Sequence, residues 1–159
     1  MATLTANRAA STHATDGTGP AGTMKVAWGQ YSFTDAGVGV GDVIEMCVVP
    51  NGATVLGGYV MAGDMDTGTE ALDIDIGWAA NDTEVADPDG FGNFGVWTGD
   101  VITNLVPVAG NWKPLQGVLL TAGPKTFTAR TKIQLTVNAD AATPASSEIT
   151  MCVFYVYNA

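Results

Sequence analysis

The sequence is poor in the residues on which most enzyme chemistry depends. Its 159 residues include one histidine and two cysteines, and His13 lies in a stretch with almost no large apolar side chains. Catalysis by a serine or cysteine nucleophile needs a base such as histidine held beside it, which this sequence does not offer. A zinc site usually takes about four ligands, mostly nitrogen or sulfur, which one His and two separated Cys do not supply. We therefore predict a protein that is not an enzyme, with no catalytic residue, cofactor or metal ion.

Positive charge is scarce and is absent from the middle of the sequence. Between Asp35 and Asp100 there are thirteen Asp or Glu residues and no Lys or Arg, and the net charge of the chain is −10. Proteins that bind nucleic acid draw much of their affinity from Lys and Arg that neutralise phosphates, so we predict no nucleic-acid partner. The acidic middle either keeps the protein soluble or complements a basic partner surface.

Long apolar runs are also missing. No run approaches the roughly 20 apolar residues that span a bilayer, and no basic cluster followed by an apolar segment opens the sequence. We predict no membrane partner, and synthesis in a reducing cytoplasm. Cys47 and Cys152 each lie in an apolar strand-like run, where a buried free thiol is the default and a disulfide between adjacent strands is the alternative.

What the sequence does contain is a series of short strand patterns separated by turns. Apolar runs over Asp42–Val49 and Ala53–Ala62 flank the turn residues Pro50-Asn51-Gly52, which predicts a buried hairpin. From Leu72 to Trp78 apolar residues then alternate with Asp and Gly. This period of two indicates a strand with one wet face and one buried face.

Further strand patterns surround this block. They cover Met24 to Phe33, with an expected bulge at Gly29-Gln30, then Leu115–Thr121, Phe127–Val137 and Ile149–Tyr157. The last is apolar on both faces, as in a central strand or one whose second face meets another subunit. Residues 79–95 read as a long polar loop, and residues 100–105 as a short helical turn.

These patterns predict an all-β chain with seven or eight strands, folded as a single-domain antiparallel β-sandwich over residues 23–159. The 20 glycines suit such a turn-dense fold. Residues 1–22 are mostly Ala, Thr, Ser and Gly and predict an extended N-terminal arm. The arm is either a loose terminus or a strap that orders against a neighbouring subunit.

Two acidic features could carry chemistry. Asp73 and Asp75 would lie about 7 Å apart on one strand face, a spacing that could serve a catalytic pair or a cation. The same alternation is typical of any solvated strand face, which we favour. The segment Asp87–Asn93 has oxygen ligands on a turn and could hold Ca²⁺, but it lacks the spacing of an EF-hand loop, so we favour a plain acidic loop.

The aromatic residues offer candidates for partner binding. Trp28, Trp78, Trp97 and Trp112, together with Phe91 and Phe94, would form either a sugar-binding platform or core and interface anchors. We favour anchors, because aromatic residues dominate the energetics of cores and interfaces. The predicted partner-binding residues are Phe91 and Phe94 in the long loop, Trp97 after it, and Arg8 in the arm.

The run VIEMCVVPNGATVLGGYVMAGDMDTGTEALDIDIGW, from Val43 to Trp78, resembles a pattern in small structural proteins of tailed bacteriophages. In capsid decoration (cement) proteins and related head proteins, a hydrophobic strand leads into a P-x-G-A-x-V-L-G-G hairpin. A D-x-D-x-G-T turn and a strand with alternating acids follow. With the closing strand ITMCVFYVY, the resemblance covers about residues 24 to 157.

The resemblance implies a jelly-roll-like β-sandwich that binds the outer surface of the major capsid protein shell and stabilises it. It further implies association with its own copies, as a homotrimer or a dimer. The protein would be made in the host cytoplasm and located on the outer capsid surface of the virion. The alternative is a carbohydrate- or receptor-binding appendage of the head or tail that uses the aromatic segment from Phe91 to Trp97.

Overall fold

A computed structural model describes residues 2–6, 23–99 and 109–157 of the chain. Within these residues the chain forms two five-stranded sheets, one short helix, α1 (Val118–Thr121), and a 3₁₀ turn over Ala109–Asn111. The strands are β1 (Thr3–Thr5), β2 (Met24–Phe33), β3 (Val43–Val49), β4 (Ala53–Ala62), β5 (Asp73–Trp78), β6 (Asp87–Gly92), β7 (Trp112–Pro114), β8 (Lys125–Thr126), β9 (Thr131–Ala139) and β10 (Ser147–Tyr157). In these ranges no helix has the length and apolar character needed to cross a membrane.

The two sheets pack face to face around one apolar core. Sheet A has the strand order β1-β3-β9-β5-β6, and sheet B has the order β2-β10-β4-β7 with β8 also paired to β4. All pairings are antiparallel except that of β1 with β3. The prediction of an all-β antiparallel sandwich is therefore confirmed.

Strand β10 lies in the middle of sheet B. It pairs with β2 on one side and with β4 on the other over nearly its whole length. Its inward side chains are buried in the core: Ile149, Met151, Val153 and Tyr155. Of the two alternatives predicted for this segment, a central strand or one whose second face meets another subunit, the central position in the sheet is confirmed.

The predicted hairpin between Asp42 and Ala62 is wrong. The turn itself exists, since the backbone N–H of Ala53 donates to the carbonyl of Pro50 at 3.1 Å. However, β3 pairs with β9 in sheet A, while β4 pairs with β10 in sheet B. The turn therefore carries the chain from one sheet to the other, because both apolar runs find their partners in distant segments.

The strand predicted around Asp73–Trp78 exists as β5, but its second face is not wet. Asp75 is only 5% exposed, and Gly77 is buried beside it. An added Cβ at Gly77 would collide with the backbone of Asp87 and Pro88, so strand β6 lies directly against this position. Residues 79–95 are accordingly not one long loop, because they contain β6.

Three smaller expectations also need correction or lie outside the described residues. The pairing of β2 with β10 runs without a register shift, so the expected bulge at Gly29-Gln30 is absent. The strand predicted for Leu115–Thr121 is absent, and its second half forms helix α1. The helical turn expected over residues 100–105 lies outside the described residues.

At the N-terminus, Thr3–Thr5 pairs in parallel with Val43–Glu45 at the edge of sheet A, and Ala6 is buried. The backbone N–H of Ala2 also donates to Asp42 Oδ1 at 2.7 Å. The start of the chain thus adds a strand to the sandwich. Residues 7–22 lie outside the described residues, so the predicted arm over residues 1–22 stays a prediction.

Asp66 ties two loops together at one end of the sandwich. Its carboxylate accepts hydrogen bonds from the backbone N–H groups of Ala71 (2.7 Å), Leu72 (3.1 Å), Ala142 (3.0 Å) and Thr143 (2.7 Å). Burial alone would raise the pKa of Asp66, but these four donors together outweigh it and lower the pKa. The charged form therefore stabilises the connection between the loop after β4 and the loop before β10.

Gly29 sets how closely the two sheets approach and gives a first testable prediction. It lies on the inner face of β2, and an added Cβ would overlap the backbone carbonyl of Met46 in the opposite sheet. Gly29→Ala should therefore destabilise the fold by about 1–3 kcal/mol, as overpacking a core usually does. Thermal unfolding should show a Tm lower by several degrees.

The matched control is Gly57→Ala in strand β4, where an added Cβ meets no atom within 4 Å. Its Tm should stay the same or rise slightly, because alanine restricts the unfolded chain more than glycine does. Equal losses in the two variants would show that the contact between the sheets is not the cause.

Candidate partner-binding surface

The structure places two of the predicted partner-binding residues in the interior. Phe91 is fully buried and packs edge to face on Trp78, with ring centroids 5.1 Å apart, and near Phe127 at 6.3 Å. Trp97 is 2% exposed, and its Nε1 donates to the backbone carbonyl of Ile74 at 2.9 Å. Both are core anchors of this chain, and neither side chain is available at its surface.

The other two predicted residues are Phe94 and Arg8. Phe94 is half-buried, and the ammonium of Lys113 lies 5.9 Å from its ring centroid and 5.5 Å from that of Trp97. Phe94 therefore belongs to a local cluster that covers the core. Arg8 lies outside the described residues. For Phe94 and Arg8 the assignment to partner contacts stays a prediction, whereas the side chains of Phe91 and Trp97 are buried.

The carboxylates Asp73 and Asp75 lie on the outer face of sheet A. Burial raises the pKa of Asp75, a hydrogen bond with the Asn138 side chain lowers it, and the charges of Asp73 and Asp89 raise it again, with a net rise. Asp75 Oδ1 is buried without a hydrogen-bond partner in the described part of the chain. Asp75 is thus a buried carboxylate next to the half-buried Asp73 on the same strand, and the predicted solvated strand face is wrong.

The segment Asp87–Asn93, considered above for Ca²⁺, contains strand β6 instead of a tight acidic loop. Burial raises the pKa of Asp87, and a hydrogen bond with Asp89 adds to the rise. Across residues 2–6, 23–99 and 109–157, no group of three or more His, Cys, Asp or Glu is placed to hold a metal ion.

An open cleft of about 410 Å³ lies beside this strand and is lined by Trp78, Thr83, Glu84, Val85, Asp87 and Lys125. Lys125 Nζ lies 2.9 Å from Glu84 Oε1 and 4.9 Å from the ring centroid of Trp78. The ammonium thus covers the indole, which is itself only 5% exposed. The cleft offers no open aromatic platform for a sugar.

The distinctive surface of the chain is the outer face of sheet B. Its side chains form cross-strand rows, read from β2 through β10 to β4: Gln30, Thr150, Met61; Trp28, Cys152, Tyr59; Val26, Phe154, Gly57; Met24, Val156, Thr54. Strand β7 adds Trp112 beside Met61. None of these residues carries a charge at neutral pH. The acidic residue Glu148 lies at one end of the face, where it accepts a hydrogen bond from Ser32 Oγ at 2.7 Å.

This face is also strongly apolar. Most large apolar side chains exposed in the described residues lie here: Met24, Val26, Trp28, Leu56, Met61 and Trp112. Met24 is 64% exposed and Trp112 is 45% exposed. Leu56 reaches the surface through a bulge in β4, where the register with β10 shifts. Contiguous exposed apolar patches of this kind mark interaction sites.

The aromatic rings on this face are held in place before any partner arrives. Tyr59 stacks with Trp112 at 6.4 Å between ring centroids and meets Phe154 edge to face at 5.9 Å. These three side chains lie on three neighbouring strands and form a ridge across the sheet. Rings that are already packed lose little conformational freedom on binding.

This surface is not among the sequence predictions, although the sequence contains one signal of it. Met24, Val26 and Trp28 alternate in phase, and Tyr31 and Phe33 alternate in the opposite phase. We interpreted the change as a bulge at Gly29. In the structure the strand is regular, with the first three side chains on the outer face and the last two on the core side. The change of phase was the sign of a strand with two apolar faces.

The thiols of the two cysteines are free, and the predicted default is confirmed in that respect. Cys47 is buried in the core, and burial raises the pKa of its thiol. Cys152 is half-buried on the outer face of sheet B, where its hydrogen bond with Tyr59 raises the pKa of that phenol.

The fold is similar to that of chains in three solved bacteriophage capsids. A chain from the capsid of Ralstonia phage GP4 matches with a TM-score of 0.68 at 15% identity, covering 99% of both chains. A chain from the cyanophage Pam1 capsid asymmetric unit matches with a TM-score of 0.65 at 24% identity, covering 91% of this chain and 92% of that one.

A third chain, from the acidic stable capsid of Helicobacter pylori bacteriophage KHP30, matches with a TM-score of 0.54 at 14% identity, covering 88% of this chain and 92% of that one. At these identities the likeness shows a shared fold, which extends over nearly the whole length of each chain. No protein-family model matches the sequence, and no curated protein matches it.

The raised pKa of Asp75 yields a prediction about pH. Because the ionised carboxylate is disfavoured in the folded chain, the stability that Asp75 contributes is full below its unfolded pKa of about 3.9 and is lost as pH rises through its folded pKa. Asp75→Asn should therefore raise Tm at about pH 7 and change it little near pH 3, in melting curves recorded across this range.

The control is Asp82→Asn, which removes the same charge from an exposed position on the loop before β6. It should leave Tm nearly unchanged at both pH values, because exposed charges contribute little to stability. If both variants were stabilised equally at neutral pH, the gain would come from lower net charge and not from the buried site.

Proposed function

We propose that this chain is a virion structural protein of a bacteriophage, and specifically a capsid decoration (cement) protein. It binds the outer surface of the major capsid protein shell and stabilises it, and it associates with its own copies there. The role is structural rather than catalytic. The observation that carries this proposal is the match of nearly the entire fold to chains from three phage capsids.

We also infer that the sandwich is a jelly roll, as the resemblance implied. The supporting feature is the nested pairing of the strands: β2 with β10, β3 with β9, β4 with β7 and β5 with β6. The strands therefore form two four-stranded sets, β2-β10-β4-β7 and β3-β9-β5-β6, with β1 added at an edge. Two four-stranded sheets joined by Greek-key connections make up a jelly roll.

The acidic character of the chain supports contact with a shell of opposite local charge. Asp73 is half-buried and Asp89 is exposed on the outer side of sheet A, and their charges both act on the buried Asp75. The basic residue Lys132 on this face is already paired with Glu45 at 2.7 Å. A surface with excess negative charge favours a basic partner and speeds its association.

The carbohydrate-binding alternative is not retained. It required Phe91, Phe94 and Trp97 as an open aromatic platform, whereas the first and last of these are buried and Phe94 is half-buried. No other exposed aromatic residue lies in that segment of the described chain.

The direct test is co-sedimentation of the purified chain with heads of the parent phage assembled without it. Bound protein should saturate at a fixed ratio to the major capsid protein, and decorated heads should resist heating better than bare heads. Binding should weaken as salt is added, because salt screens opposite charges. No saturable binding to mature heads would refute the decoration role.

The predicted contact through Arg8 has a separate test. Deleting residues 1–22 would also remove strand β1, so a single substitution is cleaner. Arg8→Glu should weaken binding to heads by about fivefold, the effect of an exposed ion pair worth about 1 kcal/mol. Arg130→Glu, at an exposed position in the described chain, makes the same charge change and should weaken binding less. Equal effects would rule out a specific role for Arg8.

A further inference from the structure

The two outer faces of the sandwich differ in chemistry. The outer face of sheet A has acidic side chains, an ion pair and buried polar groups, including Glu45, Lys132, Asp73 and Asp75. The outer face of sheet B has uncharged rows that run from β2 to β7, with several large apolar side chains exposed. The chain thus presents one face suited to a charged partner and one suited to an uncharged partner.

We propose that the outer face of sheet B is the contact through which copies of this chain bind one another. The proposal rests on the proposed function and deepens it, because it names the surface for self-association. It commits to a second copy of the chain as the occupant of this face.

The net charge of the chain favours a second copy as the molecule that binds this face. Each copy carries a net charge of −10, so two copies repel each other wherever acidic surfaces would meet. A two-fold symmetric contact brings the same patch of both copies together, so an acidic patch would face another acidic patch. The outer face of sheet B is large and free of charge between its ends, and it allows two copies to meet without that cost. A different partner, by contrast, can complement the acidic face.

The size of the face fits a specific contact. The three long strands β2, β10 and β4 lie about 4.8 Å apart and rise about 3.3 Å per residue, so with the short strand β7 they define a face of about 500 Å². Stable interfaces bury about 800 Å² on each partner, so this face supplies more than half of that area. Scattered exposed apolar residues on a monomer do not make a continuous surface of this kind.

The side chains are those that carry binding energy in interfaces. Trp, Tyr, Phe and Met are enriched in interface cores, and Trp and Tyr are enriched among the residues whose loss costs most affinity. Here Trp112, Tyr59 and Phe154 form the packed ridge, and Met24 and Val26 lie at the other edge of the sheet. The ridge of one copy can pack beside the strand β2 edge of another.

The experiment measures the oligomeric state of the purified full-length chain by sedimentation equilibrium in the absence of any capsid. The wild-type chain should be an oligomer in the micromolar range. Its dissociation constant should fall as salt is added, because salt screens the repulsion between acidic copies and leaves an uncharged contact intact. A wild-type chain that stays monomeric throughout would overturn the proposal.

Val26→Lys, on strand β2, places a charge in the contact and should weaken self-association by at least about tenfold, equivalent to about 1.4 kcal/mol. The matched control is Val85→Lys, since Val85 is 84% exposed and lies outside sheet B. Both variants make the net charge less negative by the same amount, so repulsion at long range changes equally. Only the variant on the face should lose association, and equal behaviour of the two would contradict the proposal.

A second variant on the same face distinguishes a specific loss of association from misfolding. Met24→Lys lies on the same face at a more exposed position, and both face variants should keep the wild-type Tm within a few degrees. The outcomes also separate this proposal from the decoration role. A monomer that binds heads at a fixed ratio would refute self-association through sheet B alone, whereas an oligomer that fails to bind heads would refute the decoration role alone.

Discussion

Strand β10 is the constraint on which the rest of the structure depends. It pairs on both sides, with β2 and with β4, so it cannot shift without breaking two ladders at once. Because side chains alternate along a strand, the register of β10 determines both which side chains face the core and which lie on the outer face. One set of side chains, including Ile149 and Tyr155, forms the core, and the other set, including Phe154 and Val156, lies on the outer face. The apolar outer face is thus fixed by the same pairing that builds the core.

Local patterns in the sequence identified the fold class and most strands, because alternation and turn residues act over a few positions. They did not identify which strands pair with each other. Pro50-Asn51-Gly52 forms a turn as expected, yet the strands on either side join different sheets. The partner of β3 is β9, more than eighty residues away. Such pairings depend on which long-range contacts bury the most apolar surface, and a short window does not contain that information.

The same limit of local sequence patterns applies to the aromatic residues considered for partner binding. Phe91 was assigned to a loop because its neighbours are Asp, Gly and Asn, whereas it lies in a strand that closes the core. Trp28 was considered a core or interface anchor, and only the register with β10 shows that its side chain points outward. A sequence pattern can show that a strand has two apolar faces. The pairing of that strand is needed to show which face the protein buries by itself.

The separation of charge between the two faces has a consequence for assembly. An apolar face that is left exposed favours indiscriminate association, and a net charge of −10 opposes it. The long-range repulsion acts on every approach of two copies, while the apolar attraction acts only when the two uncharged faces meet. The proposed self-association is therefore favoured in the arrangement that brings these faces together. In this way the excess of acidic residues, which on its own would argue only for solubility, contributes to the specificity of the proposed contact.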